Sequence, residues 1–280
     1  MIMAFDYMIP ILGVLHQGYD CTIDPSFHSL GQVLASGDAL VSWRIRIIHN
    51  GEQQEVFETQ LSFKEGRLVG RAPDPFIWPA SKSSLGEDPG FFESDFVIAD
   101  GRSEFVSNWQ PVSYVICSAP GRKSFFANTP HKFAVPPVID MVAAYGRYVE
   151  AYPVVWVDRQ RDYGETIVMI NPYNMDIIAE VVASDERRIR RIRVPKLSAR
   201  HVRLERLLRE DETSWRGRIQ LTANNRVVTF DVKHSLSNPE IINDEEHLDP
   251  FRADPTHMPA FQRMRQEVGR YLSHRGLIHR

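Results

Sequence analysis

A chain of 280 residues, 43% hydrophobic and 25% charged, has room for two ordinary domains with a core each, and excludes collagen, coiled coil and whole-chain disorder. A formal net charge of −3 gives no global reason to expect a nucleic-acid partner. No apolar run approaches the roughly 20 residues that a membrane-spanning helix needs, so no transmembrane segment is expected.

The first apolar run, Met8 to Leu15, holds Pro10 and reads as a buried strand. Asp6 stands where an export signal would carry positive charge, and no small-residue cleavage site follows. The chain is therefore expected to be cytoplasmic, with Cys21 and Cys117 as reduced, packed thiols. From Ala39 to Ile48, Val41, Trp43, Ile45 and Ile47 alternate with polar residues, the period of a half-buried strand. His49-Asn50-Gly51-Glu52 follows, a hairpin signal, because Asn and Gly both tolerate positive φ. Val56–Phe63 is the expected return strand, and Val112–Ile116 lies further along.

Pro136-Pro137 opens a segment with Val138, Ile139, Met141, Val142 and Tyr145 on one helical face and Gly146 near its end, predicting a connecting helix at 136–147. Strands resume at Val154–Val157, Thr166–Ile170, Ile177–Ala183, Arg190–Val194 and Arg226–Val232. From His257 to Arg275, apolar residues at three- and four-residue steps predict an amphipathic helix, suited to packing on its own domain or on a second subunit. The fold class is therefore mainly β: two tandem antiparallel β-sandwich domains, a short interdomain helix and a C-terminal amphipathic helix. The boundaries are 1–135, 136–147, 148–245 and 246–280.

A faint repeat agrees with this division. A strand ending at Asn50, then Trp78-Pro79, then the strand at Val112, parallels a strand ending at Asn171, then Val194-Pro195, then the strand at Val227.

Within the second half, Glu165-Thr166, Ile170-Asn171, the Val181–Asp185 strand and turn, Val194-Pro195, His201-Val202-Arg203-Leu204, Ile219-Gln220 and Val227-Val228 follow in order. Over residues 163–238 this order resembles the sensory rhodopsin transducer family of small, oligomeric β-sandwich proteins. The resemblance implies the fold and a role in binding partners; it supplies no catalytic residue. The N-terminal half and the C-terminal helix have no counterpart in that family's single domain.

No metal spacing, phosphate loop or nucleophile elbow is present, so no metal or cofactor is expected. His49 and His131 are loop histidines, read as solvated or hydrogen-bonded. The loop 119–132 joins turn residues to Arg122, Lys123, His131 and Lys132, a composition able to hold a small anion. Asp158, Arg159, Arg161 and Glu165 form a second charged loop, in which Asp158 or Glu165 would serve as general base if a cleft raised its pKa. The basic run from Arg187 to Arg209 fits an edge strand with one charged face better than a nucleic-acid site, with the acidic 240–254 segment as its counterpart. The resulting expectation is a non-enzymatic binding or adaptor protein, a homo-oligomer recognising a protein or a small anionic ligand. The alternative is an enzyme with its site between the domains, acting on a small anionic or polyol substrate.

Overall fold

The computed structural model describes residues 11–25, 38–65, 67–70, 74–82, 88–98, 112–130, 148–223, 227–246 and 251–252. The chain divides into two compact units, Met1–Ala134 and Val135–Arg280. The described residues are mainly β, in four antiparallel sheets. The helices expected at 136–147 and 257–275 lie outside the described residues. The helical structure that is described consists of two 3-10 turns, Ala80–Lys82 and Leu204–Leu207. Among the described residues no helix is long and apolar enough to cross a membrane.

Unit 1 contains β1 (Ile11–Leu15), β2 (Asp20–Pro25), β3 (Ala39–His49), β4 (Glu52–Lys64), β5 (Arg67–Leu68), β6 (Phe76–Trp78), β7 (Gly90–Ile98), β8 (Val112–Ser118) and β9 (Phe125–Pro130). They form two sheets, of order β1-β7-β3-β4-β5 and β6-β2-β8-β9. The alternation along β3 sets the inner face: Trp43, Ile45 and Ile47 are buried. Arg44 and Arg46 point the other way, to Glu58 at 3.2 Å and Glu93 at 2.9 Å. The buried Trp43 indole donates to Ser94 Oγ at 2.9 Å, so its polar atom is satisfied within the core. The β3–β4 turn takes positive φ at both Asn50 (51°) and Gly51 (82°), the geometry that joins twisted strands in two residues.

Unit 2 contains β10 (Tyr148–Asp158), β11 (Gly164–Asn171), β12 (Ile177–Ala183), β13 (Arg188–Val194), β14 (Ser198–Arg203), β15 (Ser214–Ala223), β16 (Val228–His234), β17 (Ile242–Glu246) and β18 (Phe251–Arg252). Its sheets run β13-β12-β15-β10-β18 and β14-β11-β16-β17. One core joins them: Val155, Val157, Val181 and Leu221 come from the first sheet, and Ile167, Met169 and Val202 from the second.

The two units repeat one topology. Replacing β1, β2, β3, β4, β6, β7, β8 and β9 by β10, β11, β12, β13, β14, β15, β16 and β17 turns the sheet orders of unit 1 into those of unit 2, apart from the two-residue edge strands β5 and β18, which have no counterparts and lie at opposite ends of the larger sheet. A 3-10 turn follows β6 in one and β14 in the other. The phase of the repeat differs from the one the turn residues suggest. Asn50 follows β3, whose counterpart is β12, whereas Asn171 closes β11. Pro79 follows β6, whose counterpart is β14, whereas Pro195 follows β13. The Val112–Val227 match alone is in phase, at β8 and β16. Turn residues mark every strand end alike and cannot say which end is which.

Strand β13 is the sheet edge that its charge pattern predicts, with a bulge at Arg191 (φ 56°). Its arginines pair with near neighbours: Arg188 and Arg190 with Glu180, and Arg193 with Asp176. In the acidic segment, Asp244 and Glu246 hold Lys233, at 2.9 and 3.1 Å.

Candidate functional site

At one end of the unit 1 sandwich, β1, β3 and β6 finish while β4 and β7 begin, leaving a cavity of about 290 Å³ between the sheets. Its apolar wall is Leu15, Ile47 and Trp78. Its polar groups are His49, Gln54, Glu55, Ser81 and Lys82. The local sequence explains each placement. The tight Asn50-Gly51 turn brings the end of β3 against the start of β4. Glu55 stands opposite Ile47 and Gln53 opposite Ile48, so Gln54 is the extra residue of a bulge that turns the strand at the rim. Pro79 ends β6, and the following turn brings Ser81 and Lys82 over the opening; the Ala80 N–H is fixed by Asp20 Oδ1 at 2.7 Å. Lys82 is ion-paired with Glu55, and its ammonium lies 4.9 Å from the centre of the Trp78 ring. His49 Nε2 sits 3.4 Å from the Asp88 carbonyl oxygen.

Gly90 explains why the space is open. It stands opposite Leu15 in the last β1–β7 pair and lines the cavity with no side chain. The corresponding last inward pair of unit 2 is Val157 with Trp215. There the Trp215 indole fills the corner and lies so close over Gly217 that a Cβ on that residue would fall 2.6 Å from Cζ2. Arg187 covers the indole at 5.8 Å, donates from Nη1 to the Leu207 carbonyl at 2.9 Å, and is paired with Glu212. Asp185 accepts from Trp215 Nε1 at 3.1 Å and lies 2.6 Å from Arg187 Nε. The same corner is thus plugged in unit 2 and open in unit 1.

The residues singled out from sequence take other places. Arg122, in the β8–β9 turn, lies over the Tyr19 ring at 5.4 Å, next to Gly18 (φ 77°), where a Cβ would meet Nη1 at 3.1 Å. Lys123 is exposed beside it. His131 and Lys132 lie outside the described residues. Asp158 is buried, and its Oδ1 accepts the backbone N–H groups of Gln160 and Arg161, at 2.9 and 3.1 Å, which folds the β10–β11 turn. Arg161 Nε is 3.9 Å from Asp158 Oδ2, and its guanidinium covers Trp156 at 5.1 Å. Arg159 turns outward to the Glu212 carbonyl oxygen at 3.3 Å.

Glu165 is buried, accepting from Tyr163 Oη at 2.9 Å. Burial raises its pKa, against the hydrogen bonds from Tyr163 and the Trp156 backbone. Burial also pushes Asp231 up, to about 8, and the nearby Glu165 adds to the effect. For Lys233, burial opposes the charge, but its hydrogen bonds to Asp244 and Glu246 outweigh it and raise the pKa. Among the described residues, no group of three or more His, Cys, Asp or Glu could hold a metal ion.

Of the cavity residues, the sequence singles out His49, as a loop histidine. Trp78-Pro79, visible as one step of the repeat, is the other signal; the bulge and the missing side chain at Gly90 become meaningful only once the strands are paired. Comparison of the chain with protein-family models and with curated proteins finds no match.

Proposed function

We propose that the chain is a non-catalytic binding protein whose unit 1 takes a small hydroxylated ring, of monosaccharide size, in the open end of its sandwich. The observation that carries this reading is the cavity itself: about 290 Å³, with an apolar wall on one side and alternating donors and acceptors on the rim. That volume lies just below the range for pockets that take drug-sized ligands, roughly 300–1,000 Å³, which fits a smaller ligand. Trp78, Leu15 and Ile47 suit the C–H face of such a ring, while Gln54, Glu55, Ser81 and His49 suit its hydroxyls. The Lys82–Glu55 pair balances its own charge, which supports a neutral hydroxylated ligand over the anion suggested by composition.

The test is a titration with D-glucose, D-galactose and D-mannose to millimolar concentration, followed by calorimetry and by NMR of the Trp78 indole and His49. Binding of one of them, with signals confined to the cavity, is expected. A Cβ at Gly90 would meet its neighbours at 3.5 Å or more, an ordinary contact, and Gly90→Val is designed to place its methyl groups in the opening. This variant is expected to fold with unchanged or raised stability and to lose at least about tenfold in affinity, worth roughly 1.4 kcal/mol. Equal affinity in Gly90→Val, or no cavity response to any of the three sugars, would reject the reading.

A further inference from the structure

The chain has two cysteines, widely separated in sequence, and the fold brings them together. Cys21 on β2 and Cys117 on β8 are directly opposed in the antiparallel register, and their sulfurs lie 3.6 Å apart. Both are fully buried. Directly opposed residues of antiparallel strands have Cα atoms roughly 4.5–5.5 Å apart, inside the span of about 4.4–6.8 Å that a disulfide bridges. Rotation of the two side chains then suffices to bring the sulfurs to bonding distance.

We propose that Cys21 and Cys117 are a modification site: an intramolecular disulfide formed by exchange with an oxidised low-molecular-weight thiol such as glutathione disulfide. One cysteine thiolate attacks a glutathione sulfur and releases one glutathione thiolate, giving a mixed disulfide. The second cysteine thiolate attacks the protein sulfur of that bond and releases the other glutathione. Two protein thiols are oxidised, one glutathione disulfide is reduced to two glutathione molecules, and the two protons pass to the departing thiolates.

Access comes from the sheet edge. Cys21 is flanked on its other side by β6, a three-residue edge strand in which Trp78 is its direct partner. So short an edge has few hydrogen bonds to break, and its local opening bares Cys21 without unfolding the sheet. The resolving Cys117 is already in place. The register also supplies a reporter, because oxidation changes the sulfur chemistry beside the Trp78 indole.

The experiment incubates the full chain with glutathione disulfide, denatures it in the presence of N-ethylmaleimide and weighs the intact protein. Wild type is expected to pass from two alkylated thiols to none, with the mass of two hydrogens lost and no glutathione attached. Its tryptophan emission should change in step, and its melting temperature should rise by roughly 5 °C, because the bond closes a long loop in the unfolded chain. Dithiothreitol should reverse all three. Cys117→Ser, lacking the resolving thiol, is expected to retain glutathione on Cys21. Persistence of two alkylatable thiols, stable glutathione adducts on wild type, or disulfide-linked dimers would each overturn the proposal.

Discussion

Asn171 illustrates how much one side chain settles. It is fully buried at the end of β11, and its Nδ2 donates to the carbonyls of Met175, Val194 and Pro195 at 2.7, 3.1 and 2.9 Å. Its Oδ1 accepts the Tyr173 N–H at 3.0 Å. One amide thus ties the β11–β12 loop to the β13–β14 corner. Alanine would remove all four of these hydrogen bonds from a mostly buried corner, at a cost of about 2–4 kcal/mol for Asn171→Ala. Urea denaturation measures it, and a loss below about 0.5 kcal/mol would show that the corner holds without the amide. The sequence shows Asn171 as a turn residue and no more. Arg122 and Asp158 are legible to the same depth: their residue types mark them as able to bind an anion or to accept a proton. Whether such a group faces a ligand, an aromatic ring such as Tyr19 or the N–H groups of its own turn depends on the backbone around it.

At the level of elements, the strands were the legible part, because alternation is a local signal. Ile177–Ala183 is read with its observed limits, and the Ala39–Ile48 run becomes β3 with one residue added. The β3–β4 hairpin was legible for a stricter reason, since few dipeptides besides Asn-Gly accept positive φ at two successive positions. Gly51, at φ 82°, is the less replaceable of the two. Gly51→Ala is expected to cost about 1–2 kcal/mol in chemical denaturation, and Asn50→Gly less than about 1 kcal/mol. Equal losses in the two would mean that the turn adopts another geometry. Because this turn positions His49, Gln54 and Glu55, Gly51→Ala should also weaken any ligand of the unit 1 cavity. What local signals could not supply was the pairing of distant strands. The phase of the repeat, the Cys21–Cys117 contact and the cavity all depend on which strand lies beside which.

Over the whole molecule, the raised carboxyl pKa values belong to unit 2. Unit 2 closes its corner with Arg187 and buries carboxyl groups, and the buried carboxyls govern how stability depends on pH. Asp231 is buried, and its Oδ1 has no hydrogen-bond partner, so the fold favours the neutral acid. Its folded pKa, raised to about 8, lies above that of the unfolded chain, and Glu165 shifts in the same direction. Between the ordinary aspartate range and about pH 8, the native state therefore holds protons that the unfolded state has lost. Stability is full below that window and falls through it as pH rises, by up to about 1.4 kcal/mol per pH unit for one group. Asp162, held low chiefly by Ser235, Asp176 by Arg193 and Glu212 by Arg187 act oppositely: their contribution is present above the ordinary carboxylate range and fades below it. The two trends place maximum stability in mildly acidic solution. Asp231→Asn keeps the neutral shape at every pH. It should match wild type near pH 4 in thermal melts, exceed it increasingly toward pH 8, and flatten the profile between. A variant whose melting temperature declined with pH as steeply as wild type would show that Asp231 does not carry the dependence.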